Sequence, residues 1–225
     1  MTKILAPLSS TFVMPDLIPS GKPVGVNRHP VHQEDDGSRV GARDDEQHVE
    51  VTQYEEHLVE GHLVREVRFR VEEGTSCSMS SVYRAHEKDA DLEVRFFVTL
   101  EKNATFSLDI ASFLLGERSK SDVRVFLVLN EGSRATVRQL TRAEASSSIV
   151  HEEIRGLAIG EYAYASFIPE LELLHDDVLA THAASIVCVD EKRIAYLLAR
   201  GVSREDAVGC LAQAFLQSTV SSRTE

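Results

Sequence analysis

The sequence lacks an excess of positive charge, a disulfide-forming set of cysteines and any long apolar run, and each absence removes a class of function. Its 225 residues carry 24 Lys and Arg against 36 Asp and Glu, a formal charge of -12. Nucleic-acid binders need a basic stripe to displace counterions from phosphates, so DNA, RNA and anionic membranes are not expected as partners. Cys77, Cys188 and Cys210 are odd in number and far apart. They write neither a disulfide framework nor a Cys-x-x-Cys zinc ribbon, and a reducing, cytoplasmic setting is expected. No stretch approaches the length of a membrane-spanning helix, and the N-terminal apolar run is broken by Pro7, Ser9, Ser10 and Thr11, a poor signal-peptide core. No Gly-rich phosphate loop, His-Glu-x-x-His or Gly-x-Ser-x-Gly occurs, so nucleotide hydrolysis, zincin and α/β-hydrolase chemistry have no basis here. A cupin-type metal enzyme would need a His-x-His pair, and there is none.

What is present divides the chain into three parts. All prolines but Pro169 fall in the first thirty residues, and the charged "HQEDDGSRVGARDDEQ" that follows is nearly free of aliphatics. Such a segment cannot bury enough apolar surface to offset its ordering entropy, so residues 1–47 read as a flexible or loosely docked arm. Residues 48–189 alternate with period two, the signature of strands with one buried face. Within them "VREVRFRVEEGTSCSM", "LEVRFFVTLEKNATFSL" and "DVRVFLVLNEGSRATV" repeat one pattern of a β run, an acidic turn and a second alternating strand. The Val-Arg pairs begin at Val67, Val94 and Val123, and a degenerate fourth unit runs through "IRGLAIGEYAYASF". A repeat of this size means a solenoid whose units stack because none buries its apolar face alone. An antiparallel β-sandwich would also alternate, and the Glu73-Gly74 and Glu131-Gly132 turns serve either topology.

Residues 190–225 change to helical period. Asp190 can cap a helix carrying Ile194, Leu197 and Leu198 on one face, with Gly201 at its end. Ser203 and Asp206 form a capping-box-like pair before a stripe of Val208, Leu211 and Phe215. The chain is expected to close in an α-helical hairpin and a short tail.

Few residues suggest metal chemistry. His57 and His62 are five apart, a separation that brings both rings onto one ion on neither a helix nor a strand. Cys188 lies in "SIVCVD" among β-branched neighbours, the setting of a buried, inert thiol, and Cys210 is expected to pack inside the hairpin. His175, Asp176, Asp177 and His182 remain, in "LLHDDVLATHAAS", where on the residues alone they decorate a strand-turn-strand edge.

The tail carries a resemblance. "LAIG", "PELELLHDDV", "THAAS" and "RGVSREDA" are similar, without insertion between them, to hallmark elements of the SufB/SufD family of the SUF iron-sulfur assembly system. The likeness is specific over Gly156 to Phe215 and weaker back to about Val64. It implies a mainly β fold, a right-handed parallel β-helix followed by a helical hairpin, and a non-catalytic scaffold. The implied partners are a SufC-like ATPase, docked through the hairpin residues Ile194, Leu197, Leu198, Val208, Leu211 and Phe215, and a SufB/SufD-like subunit or a second copy of this chain. The implied cargo is transient iron or an iron-sulfur cluster at a subunit interface, with no tightly bound cofactor. His182 takes the place of a functionally important histidine of SufD-like members and becomes the candidate iron or cluster ligand, with His175 and Cys188 as lesser candidates. SufB-like members carry a cysteine where this chain has Ile154, which points to a SufD-like auxiliary role. A self-associating β-helix without an iron-sulfur role is the alternative.

Overall fold

The computed structural model describes residues 50–218; the arm expected over residues 1–47 and residues 219–225 of the expected tail lie outside the described residues. Ten strands of ten residues follow one another. They are β1 (Glu50–Val59), β2 (His62–Val71), β3 (Ser76–Ala85), β4 (Asp91–Leu100), β5 (Thr105–Leu114), β6 (Lys120–Leu129), β7 (Arg134–Ala143), β8 (Ile149–Ala158), β9 (Tyr164–Leu173) and β10 (Leu179–Cys188). The odd strands form one sheet and the even strands a second, each in chain order. All eight strand pairings are parallel, which excludes the antiparallel sandwich. Each coil gives one strand to each sheet, so five coils stack as a parallel β-helix.

The alternation read from the sequence sorts side chains between the lumen and the outer surface. On β5, Phe106, Leu108, Ile110 and Leu114 are buried in the lumen while Ser107 and Asp109 point outward. The lumen is filled by Leu, Val and Phe from every coil, among them Phe96, Phe106, Leu127 and Leu129 at 0 to 1 % exposure. Phe69 meets Phe106 edge-on, with ring centroids 5.1 Å apart.

The Val-Arg repeat has a structural cause. Glu66-Val67-Arg68, Glu93-Val94-Arg95, Asp122-Val123-Arg124 and Glu153-Ile154-Arg155 each send the Val or Ile inward and pair the flanking acid with the arginine outside. The repeat spacing and the strand register differ: Val94 faces Val123, whereas Val67 faces Phe96. A slip of two residues keeps every side chain on its own face, so the sequence pattern survives it.

Stacked turns hold the corners. The residues after the first bend of successive turns, Gly74, Asn103 and Gly132, all have left-handed φ of 57 to 69°. Glycine and asparagine are the residues that adopt that conformation most cheaply. Gly74 N–H donates to the Lys102 carbonyl, Asn103 N–H to Glu131 and Gly132 N–H to Glu161, so the turns form their own ladder. In the opposite corner Gly116 is required for space, because a Cβ there would overlap the Glu87 carbonyl. The fourth turn of the first column carries an extra residue, with Gly160 and Tyr162 both left-handed, and the last coil is accordingly displaced by one position.

The hairpin consists of α1 (Glu191–Leu198) and α2 (Arg204–Ser218). The Asp190 side chain accepts from Lys192 N–H, Gly201 has φ 82°, and Ser203 Oγ accepts from Asp206 N–H at 3.1 Å, as the capping pattern predicts. Arg204 and Glu191 bridge the two helices at 2.8 Å. Among the described residues no helix is long and apolar enough to cross a membrane.

Candidate functional site

Register decides which residues meet at the end of the β-helix. One lumen-facing column of the even sheet runs Arg65, Val94, Val123, Glu152, His182, one residue per coil. His182 closes the column on β10, the last strand among the described residues, and it is exposed there. Directly beneath, Glu152 is fully buried at 0 % exposure, with the Thr141 hydroxyl as its neutral polar neighbour and no cation against either carboxylate oxygen among the described residues. Burial pushes its acidity from 4.5 to about 7, and the charge of nearby Glu170 adds to the rise; Thr141, on β7, eases it.

Thr141 belongs to a second lumen column, His57, Tyr83, Ser112, Thr141, Leu171, on the odd sheet. The hydroxyls of Tyr83, Ser112 and Thr141 are likewise buried in the lumen. Polar groups therefore line one side of an otherwise apolar lumen from coil to coil. At the first coil they are paired, with Arg65 bonded to both His57 and Glu55 and the His57 ring stacked 5.2 Å above Tyr83.

The structure separates the candidates read from the sequence. His175 sits in the exposed turn between β9 and β10. Asp177, in the same turn, accepts from Ser147 Oγ at 2.8 Å, and that bond holds its carboxyl below the usual carboxylate range, the part of a turn former. Cys188 shares the lumen-facing side of β10 with His182 but stands six residues on, about 20 Å along the strand. The two do not reach one ion. Contrary to the expectation of a buried thiol, Cys188 is exposed, because β10 is an end strand with no coil to cover it. Cys210 is also exposed rather than packed inside the hairpin, since α2 turns Ala207 and not Cys210 fully inward. Ile154 is buried in the lumen between Val125 and Ala184, an apolar contact where a thiolate would otherwise stand. Among the described residues no group of three or more His, Cys, Asp and Glu side chains is arranged to hold a metal ion.

On the hairpin, Ile194 is buried, while Leu198 is 41 % exposed. Leu197 and Leu211 line a shallow groove with Lys192, Arg193 and Tyr196. Val208 and Phe215 are half-buried, and Phe215 lies under the Arg155 guanidinium at 5.6 Å, which ties α2 to the β-helix.

Glu152 was missed from the sequence because "HEE" looks like a solvated acidic run. The signal was available: Val150 and Ile154, two positions either side, are lumen residues, and strand alternation puts Glu152 on their side.

Comparison with known proteins bears on the same region. Residues 42–215 match the family described as SUF system FeS cluster assembly, SufBD core domain. The chain is 27 % identical over 131 residues to an iron-sulfur cluster assembly SufBD family protein of Archaeoglobus fulgidus, covering 58 % of this chain and 35 % of that protein. It is 30 % identical over 122 residues to the iron-sulfur cluster assembly protein SufD of Bacillus subtilis, covering 53 % of this chain and 28 % of SufD. A match to SufD of Escherichia coli is 36 % identical over 59 residues, 26 % of this chain and 14 % of that protein. The aligned part thus spans about a third or less of these relatives' own lengths. With the family match extending over well more than half of the sequence, and with the β-helix and terminal hairpin in place, the chain belongs to the SufBD core domain family.

Proposed function

We propose that this chain is a non-catalytic, SufD-like scaffold of iron-sulfur cluster assembly that binds a SufC-like ATPase and pairs with a SufB/SufD-like subunit or with a second copy of itself. The observation that carries the reading is the placing of His182 on the lumen side of the exposed end strand, one coil above a buried carboxyl with no cation beside it. A neutral imidazole at an open strand end can reach an iron ion or cluster held against a second chain. The end strand itself supports pairing. Leu179, Ile186 and Val187 of β10 are 47 to 68 % exposed, and a terminal strand offers an edge of backbone donors and acceptors to a partner. The groove at Leu197 and Leu211 supports docking of the ATPase on the hairpin.

The test is anaerobic co-expression of the tagged chain with the SufC-like ATPase of its own genome, followed by size-exclusion chromatography with mass and iron determination on each peak. A stoichiometric complex is expected, lost on Leu197→Glu or Leu211→Glu, with His182→Ala leaving the complex intact and lowering its iron. A chain that elutes apart from the ATPase, free of iron and as concentration-dependent oligomers, would instead establish the self-associating β-helix.

A further inference from the structure

We propose that Glu152 and His182 are two ligands, supplied by this one chain, for a mononuclear divalent cation of the iron(II) class entering at the open last coil. This deepens the proposed scaffold role and rests on the reading of His182 made there. Register places the two residues side by side on the lumen faces of adjacent strands β8 and β10. Neighbouring strands lie about 4.8 Å apart, so both side chains leave the sheet in one direction at a separation that one ion spans.

Glu152 is otherwise unaccounted for. Of the charged side chains buried among the described residues, Arg124 is answered by Asp122, which accepts from its Nε and an Nη at 2.7 Å each. Glu152 has no such cation: Val123 lies below it in the column, and the Thr141 hydroxyl is the neutral group beside its buried oxygens. Ionised inside an apolar lumen, such a carboxylate destabilises the fold; a proton relieves this at low pH, and a cation would relieve it where the group is ionised.

The surroundings define what can arrive. His182 is flanked on its side of β10 by Ala180 and Ala184, small residues that leave the approach over the strand open. The donors are one imidazole nitrogen and carboxylate oxygen, a set that suits iron(II) and other borderline divalent ions. Thiolate is absent: Ile154 occupies the neighbouring lumen position and Cys188 is about 20 Å away along the strand. The site is therefore one for a single ion rather than for a sulfide-bridged cluster. With two ligands from the chain, the remaining coordination positions fall to water or to a partner, which makes binding reversible.

The experiment uses the full chain, purified metal-free under anaerobic conditions, with cobalt(II) as the spectroscopic probe. Affinity from the visible absorption band and melting temperature with and without cobalt are recorded for the parent, Glu152→Gln, Glu152→Asp and His182→Ala. The parent is expected to bind cobalt and to melt higher in its presence. Glu152→Gln is expected to weaken binding by about tenfold or more, to lose the cobalt-dependent rise, and to melt higher than the parent when metal-free. Glu152→Asp retains a carboxylate one methylene shorter and is expected to bind between the two, an order that can be read even where the glutamine variant fails to fold. Parent-like affinity in either Glu152 variant, with binding lost in His182→Ala, would overturn the proposal and leave the reading of His182 standing. No cobalt binding by the parent would overturn both.

Discussion

The two ends of the β-helix share one lumen column and treat charge in opposite ways. At the first coil Arg65 occupies the column and is bonded to Glu55 and His57, with Tyr83 stacked beneath the imidazole and its hydroxyl pushed by burial up to about 12. At the last coils Glu152 occupies the same column with no cation beside it and the Thr141 hydroxyl as its neutral neighbour, beneath an exposed His182. An open solenoid end exposes its core, and a paired polar cluster is one way to close it. The first end is closed in that way. The second end carries a buried carboxyl with no cation beside it, which burial holds protonated up to about pH 7, and a fold selected for stability alone would replace it by an apolar residue of similar volume. The difference separates a structural cap from a site.

The largest expected effect sets the scale by striking the coils between the ends. Phe96→Ala removes a fully buried ring, and a loss of about 3–5 kcal/mol in denaturant unfolding is expected. An effect near zero would mean that the lumen is not the core and that neither end has the environment described. Next comes pH. Glu152 is held at about 7 in the folded chain against 4.5 for an unperturbed glutamate, so the native state binds its proton more tightly than the unfolded state. Stability is then highest below about 4.5, falls as pH rises to about 7 and is level beyond, a total of ~3 kcal/mol from this group. Glu152→Gln should remove that part of the slope, whereas Arg65→Gln should leave it; unfolding titrations from pH 4 to 8 on the three proteins decide the point.

Arg65→Gln should itself cost about 1–3 kcal/mol, because it strips Glu55 and His57 of their common donor in a half-buried cluster. A neutral result would make the first end as unpaired as the last. The smallest effect is expected from Ser147→Ala, which removes the hydrogen bond to Asp177 in an exposed turn of the last coil. The melting temperature should fall by about 2 °C or less. A larger fall would show that this turn, rather than the strands, carries the last coil.

Much of this architecture was legible in the residues. The acidic turns and the caps at Asp190 and Ser203 took the form the sequence implied, whereas "DVRVFLVLN", read as a strand with one buried face, is buried on both faces from Val123 to Leu129. The Val-Arg repeat revealed the units β2–β3, β4–β5 and β6–β7 directly and the degenerate fourth is β8–β9, while the structure adds β1 from Glu50 and β10 ending at Cys188, where exposure blurs the pattern. What sequence spacing could not supply was register. The slip of two residues between Val67 and Phe96 and the extra residue at Tyr162 change which positions meet across coils, and without the second His182 cannot be placed over Glu152. The exposure of Cys188 was hidden for a related reason: β-branched neighbours signal burial only when a further strand exists to cover them.

One measurement tests the contrast between the ends most directly: metal-free unfolding free energies at pH 8 for the parent, Arg65→Gln and Glu152→Gln. The account predicts opposite signs, with Arg65→Gln less stable than the parent and Glu152→Gln more stable by about 1–3 kcal/mol. A Glu152→Gln variant that loses stability as Arg65→Gln does would show that the carboxylate is satisfied within the fold, and would contradict the distinction between cap and site.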